Sequence, residues 1–182
     1  YGHGAVPVAR TIDRFVCGYA VATVDEGLKL RRHGIEKEIL CLGPVSAGRY
    51  QECLENDISL PMFEYRRAKE LSDAAVAEGK TAKIHIAVDT GMSRIGLFPD
   101  EGSVETVKEI AELPALRIAG MFTHFARADE ADKTKAGEQY RRFHAFCDAV
   151  KAAGVEVPVC HCSNSAGIVE LPDFNMDAVR AG

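Results

Sequence analysis

Short apolar runs alternate with longer amphipathic ones along almost the whole chain. "FVCGYAVAT" (15–23) predicts a strand, and "VDEGLKLRRHG" predicts a helix that ends at Gly34. "KEILCLG" is a second strand, followed by a helix over about 46–56, and "ISLPMF" is a third, followed by a helix over 64–78 that Gly79 stops. "AKIHIAVDTG" reads most clearly as strand, with its Ile and Val content and closing turn signal. Val104, Val107 and Ala111 give 100–112 a helical spacing, and "LRIAGMFTHF" is strand again. The longest helix is predicted over 134–153, with Tyr140, Phe143, Cys147 and Val150 on one face and Gly154 at its end. "VPVCHCSNS", a short helix near 164–169 and "NMDAVRAG" complete the rhythm.

This reading gives seven strands, each but the last followed by a helix or helical turn, which is the pattern of a parallel α/β sheet. Residues 5–14 form a helix with no strand in front of it. One strand upstream brings the count to eight, the number that closes a TIM-type (β/α)8 barrel. The expectation is therefore a barrel with seven of its eight strands here and the first missing, and an open doubly wound sheet is the alternative.

Composition narrows the class without choosing the function. With 182 residues, 47% hydrophobic and 27% charged, the chain supports one domain with a sizeable core. The net charge of -5 is spread over mixed acidic and basic positions with no basic stripe, which argues against a nucleic-acid partner. No apolar run is long enough to span a bilayer and no signal peptide leads the chain. The six cysteines sit mostly in apolar segments and read as reduced thiols, so the expected location is the cytoplasm.

Ligands bind beyond the carboxyl ends of the strands in either architecture. "VDTGMSRIG" places Arg94 just after one strand, and "FTHF" ends the next with His124. "HCSNSAG" puts Ser163, Asn164 and Ser165 after another, "VRAG" leaves Arg180 and Gly182 at the end of the last, and "YGHG" opens the chain at the mouth of the missing strand. Together these suit an anionic, planar ligand. Ser165 at a helix start can receive a phosphate, glycine allows close backbone approach, and two guanidiniums can hold fixed acceptors. Taken singly, each has a plain structural reading. "YGHG" is most simply a turn, and Pro7 stands where a dinucleotide fingerprint needs its third glycine. Arg94 and Arg180 suit ion pairs. In "CHC" (160–162) strand alternation sends both thiols to one face and His161 to the other, without a second Cys/His pair at zinc spacing, so packing rather than metal is expected. His33 and His144 lie in helices and His85 in mid-strand, with no role assigned. No G-x-S-x-G elbow supports a serine nucleophile. The ring of polar groups stands as a set because four separate strand ends carry it.

In these blocks the sequence resembles the alanine racemase family. "YGHGAVPVAR", "VDTGMSRIGL", "FTHFARADEAD" and "HCSNSAGIVELPDFNMDAVRAG" are similar to successive family motifs, in order, over essentially the whole chain. The resemblance implies a barrel domain over 1–182 that binds pyridoxal 5'-phosphate (PLP). It further implies a mostly β C-terminal domain that is absent here, a homodimer whose active sites combine both subunits, and interconversion of L- and D-alanine for cell-wall synthesis. By position, it assigns Tyr1, Ser165 and the backbone of Gly182 to the phosphate. His124 is assigned to stack near the pyridine ring, Arg94 to the phenolic oxygen, Asn164 to the pocket lining and Arg180 to the pyridine nitrogen. A guanidinium keeps its proton, so that nitrogen stays unprotonated and the ring is a weaker electron sink, which suits racemisation.

Racemisation needs a base on each face of Cα. The family's two are a Schiff-base lysine a few residues before the YGHG block and a tyrosine of the partner's C-terminal domain, and this sequence contains neither segment. The 182-residue polypeptide alone is therefore expected to be inactive. Many members also carry a carbamylated lysine just before "VDTG", where this chain has Ala87. Serine racemisation, a related PLP-barrel decarboxylase and a non-catalytic PLP-homeostasis barrel stand as alternatives.

Overall fold

The computed structural model describes residues 2–182; Tyr1 lies outside the described residues. Among the described residues there are six strands: β1 (Gly18–Val21), β2 (Glu38–Cys41), β3 (Ile58–Met62), β4 (Ala82–Ala87), β5 (Leu116–Phe122) and β6 (Cys160–His161). All pair in parallel, in the sequential order β1-β2-β3-β4-β5-β6. The helices are α1 (Ala5–Ile12), α2 (Val24–Arg32), α3 (Tyr50–Glu55), α4 (Tyr65–Ala77), α5 (Glu101–Ala111), α6 (Thr134–Ala152) and α7 (Ser165–Glu170). A doubly wound sheet reverses its strand order at a switch point, and this order never reverses. Right-handed crossovers then put every helix on one face, and the strand twist curls the sheet into a half-barrel.

The strands are shorter than the apolar runs that predicted them, and the seventh is not formed as a strand. Over 175–182 the chain makes one parallel bridge, His161 to Ala178, with Asp177 N–H donating to Cys160 O and Arg180 N–H to Ser163 O. The Asp177 carboxylate takes the Cys160 N–H, and only one edge of the segment meets a strand, so the ladder does not extend.

Alternation along the strands divides the sheet into two faces. Ile39, Ile58, Leu60, Ile84, Ile86 and Met121 face the helices and pack with Leu71, Val107, Ile110, Phe143 and Val150. Gly27 of α2 packs closely there: a Cβ on it would stand 3.0 Å from Ile58 Cδ1 and 3.4 Å from Ile39 Cγ2. The predicted apolar face of α6 is seen: Phe143, Cys147 and Val150 are buried and Tyr140 stacks on Phe174 at 4.3 Å. The inner face is polar towards the amino ends of the strands. Lys83 Nζ binds Asp57 (2.6 Å) and Glu38 (3.2 Å), and Ser59 donates to Glu38. Further along, the inner face carries His85, Phe122 and His161.

Candidate active site

Two loops bring Arg94 and His124 to the carboxyl edge of the sheet. After β4, Asp89 Oδ1 accepts the N–H groups of Gly91 (3.0 Å) and Ser93 (2.9 Å), folding "DTGMS" on itself with Ser93 at φ 57°. The chain returns at Leu97, which bridges Val88, and this close return needs Gly96. A Cβ there would fall on Asp89 N and stand 2.6 Å from Val88 C, at a φ of 129°. Arg94 is exposed at the apex of this loop.

A residue with no motif to announce it ties this loop to the one after β5. Gln139 of α6 is 4% exposed. Its amide donates to Thr90 Oγ1 (3.2 Å) and His124 O (3.0 Å), and its Oε1 accepts from Ala126 N–H (2.9 Å). Thr90 and Thr123 share a further hydroxyl hydrogen bond of 2.8 Å. A glutamine on the buried side of an amphipathic helix was the available sequence signal, since a buried amide needs partners.

Arg180 is the most heavily held group at this edge. Its Nη2 donates to Thr123 O (2.7 Å) and Cys162 O (3.1 Å) and approaches His124 Nδ1 at 3.4 Å. Its Nη1 donates to His161 Nδ1 (2.6 Å) and His161 O (3.2 Å). Burial lowers its pKa to about 10, Cys162 opposes that and Arg94 adds to it, and the group stays charged at neutral pH. Burial, then Arg180, then Arg94 push His124 down to about 4, so its ring is neutral and able to lie beside another ring or accept a proton.

Ser165 and Gly182 meet as a pair. The Ser165 hydroxyl donates to Gly182 O and accepts from Gly182 N–H, both at 2.9 Å, and both residues are exposed. Gly182 has φ 138°, with open space where a Cβ would stand. Asn164 serves the fold at its own position. Its Oδ1 caps α7 by accepting from Gly167 N–H (3.0 Å), and its Nδ2 donates to Phe125 O (3.4 Å). Tyr1, expected to join Ser165 and Gly182, lies outside the described residues. The thiols of Cys160 and Cys162 are buried with the helix-facing core and His161 is on the other face, as alternation predicts. Two depressions lie elsewhere. One, of about 520 Å³, sits between Lys108, Arg117 and Pro158, and the other, of about 700 Å³, between α5 and α6 beneath Phe98. Neither includes Arg180, His124 or Ser165.

Set beside known proteins, all of residues 1–182 match the family model described as "Alanine racemase, N-terminal domain". The chain belongs to this alanine racemase family. It is 45% identical to the alanine racemase of Clostridium novyi and 40% identical to that of Methanococcus maripaludis, covering 100% of this chain and 47% and 49% of those proteins. Among solved structures, the alanine racemase of Clostridium difficile 630 superposes with a TM-score of 0.97 at 38% identity, over 100% of this chain and 48% of that one. The Bacillus anthracis alanine racemase with bound L-Ala-P gives 0.89 at 36% identity, over 100% and 47%. The chain thus spans about half the length of the alanine racemases it matches. Among the described residues no helix is long and apolar enough to cross a membrane.

Proposed function

We propose that the full-length protein containing this chain is a PLP-dependent amino-acid racemase acting on alanine, and that these residues are most of its cofactor-binding barrel. The observation that carries the reading is Arg180, a charged guanidinium locked by three carbonyls and one imidazole at the carboxyl edge of the sheet. A donor-only group held so firmly suits one fixed acceptor rather than a changing set of ligands.

The residues present fit the cofactor. The Ser165 hydroxyl and the Gly182 N–H, already side by side and exposed, would hold its phosphate, with Tyr1 as the third expected contact. A neutral, half-buried His124 would lie beside its ring, Arg180 would face its pyridine nitrogen and Arg94 its phenolic oxygen. When bound, PLP draws electron density from the substrate's Cα and so acidifies its C–H bond. Arg180, with its Nη groups given to His161, Thr123 and Cys162, would limit that withdrawal by donating its Nε–H to the ring nitrogen without protonating it. This favours simple return of a proton to Cα over elimination or transamination. Asn164 holds α7 and Gln139 holds the loops of Arg94 and His124 in place.

Racemisation removes a proton from one face of Cα and returns one to the other, with no net redox change. Both bases belong, on this proposal, to the rest of the protein. Lys83, the lysine on a strand, lies at the amino end of β4 and is tied to Asp57 and Glu38. The first strand of an eight-stranded barrel, a C-terminal β domain and a homodimer complete the proposal.

The test is the full-length protein with PLP and L-alanine, followed by chiral chromatography. D-alanine should form, and Arg180→Met should lower kcat/KM by about 10–100-fold, the worth of a hydrogen bond to a charged group. Faster turnover of serine would move the assignment to serine. Stoichiometric cofactor binding with no turnover of either would favour the PLP-homeostasis alternative.

A further inference from the structure

We propose that His85 is a positioning residue for Arg180, acting through His161 as a directed chain of hydrogen bonds across the inner face of the sheet. This rests on the reading of Arg180 as the donor to a bound ring. His161 Nδ1 lies 2.6 Å from Arg180 Nη1, and His161 Nε2 lies 3.1 Å from His85 Nδ1. The direction follows from chemistry alone. A guanidinium only donates, so His161 Nδ1 carries a lone pair. The neutral ring then holds its proton on Nε2 and donates it to His85 Nδ1, which leaves the His85 proton on its own Nε2. Were His161 protonated, its Nδ1–H would face the guanidinium, donor against donor.

The sheet is shaped around this pair. His85 and His161 are 7% and 4% exposed, and their rings meet edge to face at 5.3 Å. His161 also stacks on Phe122 at 5.4 Å, which fixes its plane. Opposite His85, the β4–β5 register slips by one residue, so that Gly120 faces it. A Cβ at Gly120 would stand 2.7 Å from His85 Nδ1, 2.8 Å from its Cε1 and 2.6 Å from Val159 O. A bulge and a glycine thus make room for an imidazole where an apolar side chain would be cheaper to bury. The charged and titratable groups that bear on His85 are His161, Glu38, Arg180 and Arg117. Burial and the two arginines outweigh Glu38, which keeps the ring neutral. Thr123 O and Cys162 O hold Nη2 of Arg180 without help from His161. Nη1 has the His161 carbonyl at 3.2 Å and the shorter bond of 2.6 Å to the His161 ring, so by fixing that ring His85 sharpens the placement of Nη1 that the carbonyl leaves looser.

The experiment uses the full-length protein with ¹⁵N-labelled histidine, and long-range ¹H–¹⁵N spectra that separate protonated from bare ring nitrogens. His161 should be a single neutral tautomer with its proton on Nε2 from about pH 6 to 8. His161 with its proton on Nδ1 in the unmutated protein overturns the proposal outright. His85→Leu should give His161 a mixture of tautomers and lower kcat about tenfold, the effect of one misplaced hydrogen bond to a charge, with KM nearly unchanged. His85→Asn, whose amide oxygen sits where Nδ1 was, should restore the Nε2–H tautomer and most of kcat. If Asn and Leu fail alike, His85 is packing and the proposal falls. If the tautomers respond as stated but no D-alanine forms, the racemase reading fails while the chain of hydrogen bonds stands.

Discussion

Replacing Gln139 with leucine removes the side chain that ties the loops carrying Arg94 and His124 at three points, and leaves the Thr90–Thr123 hydroxyl bond as a second tie between them. Three hydrogen bonds are lost, to Thr90 Oγ1, to His124 O and from Ala126 N–H, with lengths of 3.2, 3.0 and 2.9 Å. At a net worth of about 1 kcal/mol each, these sum to about 3 kcal/mol. Leucine nearly preserves the volume, so no cavity is added, and its apolar burial returns about 1 kcal/mol. The expected cost is about 2 kcal/mol, most of it local to the two loops. Native-state hydrogen exchange reads this directly, because the Ala126 amide is bonded to the glutamine itself. Its exchange should quicken about tenfold or more, at about 1.4 kcal/mol per decade, while amides in β4 and the centre of α6 change less. An Ala126 amide as protected in Gln139→Leu as before, with stability lowered by less than about 0.5 kcal/mol, would refute the argument that this amide joins the loops.

Gly96→Ala should cost about 2 kcal/mol or more on thermal unfolding, since the new Cβ meets backbone at Val88 and Asp89 and the residue must hold φ 129°. Acid should destabilise the fold. His124 and His85 are held near pKa 4, so below about pH 6.5 the unfolded chain binds protons that the folded chain refuses. Urea midpoints should therefore fall as the pH drops from about 6.5 to 4. In Arg180→Met an NMR titration of His124 should move its pKa upwards, because one of the charges that depress it is gone. Among the six thiols Cys17 is exposed and the other five are buried, with Cys53 pushed up to about 12 chiefly by burial. One thiol should react rapidly with a disulfide reagent in the native protein and all six after denaturation. Thr23→Ala should cost about 1 kcal/mol of stability, because Thr23 and Glu26 form a reciprocal cap on α2.

The α/β alternation, the helix faces and the edge where chemistry gathers were all legible in consecutive residues. Each depends on local periodicity and on strand direction. Phe143, Cys147 and Val150, for example, fall on one side of α6 because of the helical repeat alone. The blocks around Arg94, His124, Ser165 and Arg180 carried the family resemblance for the same reason, as each is a continuous run. What joins these runs was settled by packing in three dimensions. His85 and His161 are 76 residues apart and read in sequence as an unassigned strand histidine and a packing residue. Their contact depends on a one-residue slip between β4 and β5 that no local pattern encodes. Gln139 is likewise 49 residues from Thr90, and its role appears only when α6 closes over two loops. "NMDAVRAG" has the composition of a seventh strand, but a ladder also needs a neighbour. The described residues give that segment one edge to pair with, and it forms a single bridge there.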